Sequence, residues 1–142
     1  MKRAALALDG GSYGQRDVAI SGAAGLSRAA ISASLTDRAA DGILPFNNAY
    51  RNRGAAASLR LLPDARTEAT LSVRWQADSY QVPTNSAGIP EDHDAENSGR
   101  RLVVALTGRR VISSRLAAAW NLSSGDHNPR SSDGPDTAAD TL

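Results

Sequence analysis

From Thr67 to Asp78, apolar and polar side chains alternate without a break. Ala69, Leu71, Val73, Trp75 and Ala77 share one parity, and Thr70, Ser72, Arg74, Gln76 and Asp78 the other. A helix would scatter both sets around its circumference, whereas an extended strand places them on opposite faces. The run predicts a strand well beyond the roughly five or six residues usual in soluble sheets.

The same alternation recurs along the chain. Ala55, Ala57, Leu59 and Leu61 oppose Ala56, Ser58 and Arg60, within a strand from Arg53 to Leu62. Ile31, Ala33 and Leu35 oppose Ser32, Ser34 and Thr36; Leu116, Ala118, Trp120 and Leu122 oppose Arg115, Asn121 and Ser123. Leu102, Val104 and Leu106, and then Val18 and Ile20, give weaker versions. About six long antiparallel strands follow in an up-and-down meander, none with a charge inside its apolar face. Met1 to Leu8 resembles the start of a secretory signal, but its apolar stretch is shorter than the roughly 7–15 residues of a signal core. It reads as the beginning of a strand.

The connections sort by length. Short turns are expected at Gly22–Gly25, Pro63–Arg66 and Arg110–Ser113, and long polar loops at Asp41–Asn52, Pro83–Gly99 and from Ser124 onward. Alternating short and long connections belong to outer-membrane barrels, with their short periplasmic turns and longer extracellular loops. Trp75 and Trp120 lie on apolar faces about 7 or 8 residues from their short turns, which would set both near the outer interface in an aromatic girdle. The fold class is therefore all-β, a partial transmembrane barrel occupying residues 1–142 as one domain. The alternative is a soluble β-sandwich that binds through its long loops.

Composition narrows function. Among 142 residues there are no cysteines, so disulfide scaffolds, thiol nucleophiles and Cys-ligated metals are excluded. A net charge of +1, with arginines spread along the chain, gives no basic patch for nucleic acid. Aromatic residues make up only 4%, too few for a dense private core at this length.

Several segments carry a family likeness. Gly10-Gly11-Ser12-Tyr13-Gly14, with a strand ending at Ser21-Gly22, resembles the first barrel strand of TonB-dependent outer-membrane receptors. Asp41-Gly42-Ile43-Leu44-Pro45-Phe46-Asn47-Asn48-Ala49-Tyr50-Arg51-Asn52, the turn Pro63-Asp64-Ala65-Arg66, Tyr80-Gln81-Val82-Pro83-Thr84-Asn85 with Gly88 and Asp92, and Asp133-Gly134-Pro135-Asp136 follow in the family's order. The resemblance implies a fragment of a cobalamin or siderophore transporter in the cell outer membrane. Its partners would be lipid, a small metal chelate and the TonB energy-coupling complex, the last through a plug domain. The plug, the signal peptide and the remaining strands of a 22-stranded barrel are not in this sequence. No catalysis is expected.

The candidate site residues all lie in loops. Asn47, Asn48, Tyr50, Asn85 and His93 are candidates for ligand contact. Glu91, Asp92, Asp94 and Glu96 crowd together, and Asp92, Asp94 and Glu96 are the candidate calcium ligands, since calcium takes oxygen donors. A solvated loop explains the same residues, and the glycine and closing glutamate of an EF-hand are missing. His127 has no neighbour that would make it a base or a zinc ligand. Arg60 and Arg74, on polar faces of neighbouring strands, would point into a barrel lumen.

Overall fold

The computed structural model describes residues 2–85 and 87–134. Seven strands follow one another: β1 (Lys2–Gly10), β2 (Arg16–Gly25), β3 (Ala29–Ala40), β4 (Tyr50–Asp64), β5 (Thr67–Gln81), β6 (Glu96–Ser113) and β7 (Leu116–Ser132). Each pairs antiparallel with the next, so sequence order is also spatial order in one open sheet. The architecture is the expected up-and-down meander. The motif residues Pro135 and Asp136 lie outside the described residues.

Four expectations are corrected. There are seven strands, because Lys2–Gly10 is a full strand paired along its length with Arg16–Ala24. Gly22–Gly25 is part of β2; the chain reverses at Leu26–Arg28, where the Leu26 N–H donates to the Ala29 carbonyl at 2.7 Å. Arg110–Ser113 ends β6, and the turn is Ser114-Arg115. The polar stretch from Ser124 is no loop: through Ser132 it pairs with Glu96–Val104. Backbone pairing there continues after the apolar alternation stops. Pro129 falls in the last strand of the described sheet, and an edge strand is where proline is tolerated.

Pairing places the side chains in rows. Leu71 lies opposite Leu59 and Leu106, and these opposite Ile31 and Leu122. Two residues on, Val73 lies opposite Ala57 and Val104; two further, Trp75 lies opposite Ala55 and Leu102. All these side chains share one face, the outer face below. Between Arg100 and Arg110 on β6, every outer position of β2 to β6 is Ala, Gly, Val, Ile, Leu or Trp. The edge strands add the exceptions Lys2, Ser124 and Asp126.

Nothing covers this face among the described residues. Val73 and Trp75, central in the sheet, remain 36% and 37% exposed, and Leu8 on β1 is 69% exposed. Among the described residues no side chain is fully buried, and the buried apolar ones are Ala39 and Ala95, both at the long-loop end. A soluble domain buries an apolar sheet face against a second layer. The described residues form no second layer, since all seven of their strands lie in one sheet.

The two tryptophans do not share a girdle. Trp120 lies opposite Gly108, which lies opposite Ala69, six residues before Trp75 on β5. That is about 20 Å along the strand, so the rings sit near opposite ends of the apolar band. The expected placement rested on a turn at Arg110–Ser113, whereas the true turn lies closer to Trp120. Gly108 is required here, because a Cβ would run into the Trp120 indole.

Candidate functional site

The two described ends of the sheet differ. At one, Leu26–Arg28, Ala65-Arg66 and Ser114-Arg115 make tight reversals. Asp64 closes the second by accepting from the Arg66 N–H at 2.8 Å and the Thr67 hydroxyl at 3.2 Å. The Arg66 bond first, then the Thr67 bond, holds its carboxyl below the ordinary aspartate value. At the other end, the connections span residues 11–15, 41–49 and 82–95.

Asn47 joins the two longer loops. It adopts a positive φ of 40° and is only 9% exposed. Its amide nitrogen lies 3.0 Å from the Val82 carbonyl, 3.2 Å from those of Asp92 and Ala95, and 3.3 Å from Asp92 Oδ1. Asp92, 5% exposed, accepts through Oδ1 from the Asp94 and Ala95 N–H groups at 3.1 and 2.8 Å. The Phe46 ring stacks on His93 with centroids 4.1 Å apart. Gly42, at φ 86°, has no room for a side chain, because Asn48 lies against it.

The other candidates serve their own segments. Asn48 donates to the Leu44 and Phe46 carbonyls at 2.9 and 2.8 Å, and its buried Oδ1 has no partner among the described residues. Asn85 Oδ1 accepts from the Ala87 and Ile89 N–H groups, both at 3.0 Å, closing a small turn. Tyr50 begins β4 opposite Tyr80 and is exposed. Asn47 and His93 thus meet in one loop pair, while Asn85 and Tyr50 stand apart from them.

The carboxylates regroup. One oxygen each from Asp92, Asp94 and Asp133 lies within 4.8 Å of the others, and Glu96 is not in the group. Glu96 opens β6 opposite Gln81 and Ser132, so strand alternation sets it on the outer face. Asp133 arrives through the β6–β7 register, which nothing near residue 92 reveals. An oxygen-only set suits a hard cation, but Asp92 Oδ1 is already committed to the loop's own backbone.

The inner face is mixed. Arg3, Ser21, Ser34, Ser58, Ser72 and Arg74 alternate with Ala5, Ala23, Ala56 and Val103 along a shallow trough reaching from β1 to β6. Arg60 bonds Glu68 at 2.8 Å on the same face. Both Arg60 and Arg74 therefore lie on the inner face, as the alternation required, and Phe46 and Asp133 are the residues of the loop cluster that the sequence did not mark as site candidates. No protein-family model matches the chain, no curated protein matches its sequence, and no solved structure matches its fold.

Proposed function

We propose that the chain is a section of the wall of a transmembrane β-barrel in an outer membrane, of the kind that TonB-dependent receptors use to import a metal chelate or cobalamin. One observation supports this above the rest: an uncovered apolar face bounded by charge at two levels. Arg100 and Arg110 stand ten residues apart on the outer face of β6 with only apolar positions or Gly between. Ten residues span about 33 Å along a strand, or about 25 Å in height at a tilt near 40°, the thickness of a barrel's lipid-facing band. The opposite face, with its serines, Arg3, Arg60 and Arg74, would face the lumen, and the loop pair braced by Asn47 would face outside. The family and its cargo rest on the order of the resembling segments alone.

In plain buffer the purified chain is expected to self-associate, because its apolar face and both sheet edges lack partners. Detergent should release it as a defined species by analytical ultracentrifugation. A monodisperse monomer that melts cooperatively without detergent would contradict the proposal. Calcium, if the outer loops take it, would be held by Asp92, Asp94 and Asp133. Adding it should then slow hydrogen exchange at residues 92–95, and exchange unchanged between calcium and chelator would remove the ion from the proposal.

A further inference from the structure

The outer face carries a second feature at the long-loop end. Arg53 and Arg100 lie two residues beyond the Trp75 row, on either side of Ala77. One row further, Arg51 and Arg130 flank Ser79 and Ser98. The four arginines border one cleft floored by these small residues. Asp78 also lines the cleft, but strand alternation sets its carboxylate on the inner face, near where a Cβ on Gly99 would point.

Charge in the cleft is unbalanced. Asp37 pairs with Arg51 at 2.7 Å and with Arg53 at 3.8 Å. Among the described residues, no ion pair includes Arg100 or Arg130, and both are exposed. The other outer-face acids nearby are Asp126, one row below beside Leu102, and Glu96, one row above beside Gln81. Planar guanidinium groups bind phosphate oxygens in pairs. Next to an apolar band, the phosphates at hand are those of lipid headgroups.

We infer that Arg51, Arg53, Arg100 and Arg130 form a binding site for the phosphate of an anionic membrane lipid, held by its headgroup in the cleft while its acyl chains lie along Leu102, Trp75 and the residues beneath. The inference rests on the membrane placement proposed above. Arg100 and Arg130 supply the unpaired charge, and Arg51 and Arg53, already held by Asp37, set the far wall.

Trp75 lies one row below the cleft and reports on it. In the chain carrying Trp120→Phe, reconstituted in vesicles, brominated phosphatidic acid should quench Trp75 at lower mole fraction than brominated phosphatidylcholine. Arg100→Gln and Arg130→Gln should each weaken that preference about fivefold, the effect of one surface arginine near anionic lipid. Arg110→Gln, at the opposite end of the band, should leave it unchanged. Inorganic phosphate in the buffer should not displace the lipid; if it does, the site serves a soluble phosphate and the lipid assignment is overturned. Equal quenching by the two lipids, or a preference that survives both substitutions, overturns the inference while leaving the barrel wall intact. Quenching by neither lipid overturns the membrane placement and this inference with it.

Discussion

Val73→Arg should destabilise the chain in lipid bilayers by about 2–4 kcal/mol, whereas Ser72→Arg should cost less than about 1 kcal/mol. The two positions are adjacent in sequence and differ only in face. Val73 lies on the outer face, opposite Ala57 and Val104, inside a band of four apolar rows of which its own is one. An arginine there must place its guanidinium in hydrocarbon or distort the bilayer to reach water. Ser72 lines the open trough beside Arg74, itself a long cation, opposite Ser58 and Ala105. Denaturant titration of both variants in vesicles gives the difference, and equal penalties would mean that the two faces do not meet lipid and water.

Asn47→Leu should open the loop pair without unfolding the sheet. The amide serves the Val82, Asp92 and Ala95 carbonyls and one Asp92 oxygen. The Ala95 carbonyl keeps the Val82 N–H and Asp92 Oδ1 keeps the Asp94 and Ala95 N–H groups, so a leucine of similar size takes the amide's two N–H groups chiefly from the Val82 and Asp92 carbonyls, at about 1–3 kcal/mol for each left unsatisfied. Hydrogen exchange at Asp94 and Ala95, whose N–H groups depend on Asp92 Oδ1, should accelerate at least tenfold. Amides in β3 to β5 should keep their protection. Uniform acceleration across the sheet would show that Asn47 supports the whole fold and not the loops alone.

How far the sequence disclosed the fold follows from what each residue type does. Alternation in Thr67–Asp78 and Arg53–Leu62 exposed β4 and β5 directly, because one parity is apolar and the other polar. It failed where both parities carry similar residues. β1 holds five small or apolar residues in succession after Arg3, so only the beginning of a strand was legible there, and beyond Ser124 both faces of β7 are polar, so that stretch looked like a loop. Gly22 and Gly25 suggested a turn through their backbone freedom, yet Gly22 sits in a ladder opposite Ala4 and Ala33. The loop site was only half visible. Asn47 and Asp92 stood out as residue types, but their union needs β4 and β6 joined through β5, and Asp133 needs the β6–β7 register besides. The arginine cleft was invisible for the same reason: Arg53, Arg100 and Arg130 are far apart in sequence and meet only once three strands are placed between β4 and the edge.

The central claim is that one face of the sheet meets lipid and the other water, and the chain's lack of cysteine makes this direct to measure. Single cysteines introduced from Ala69 to Ala77, spin-labelled and reconstituted in vesicles, can be probed with oxygen and with a water-soluble nickel chelate. Labels at 69, 71, 73, 75 and 77 should be relaxed chiefly by oxygen, and labels at 70, 72, 74 and 76 chiefly by nickel, in strict period two. Nickel accessibility without that alternation, high on both faces, would contradict a membrane-spanning wall.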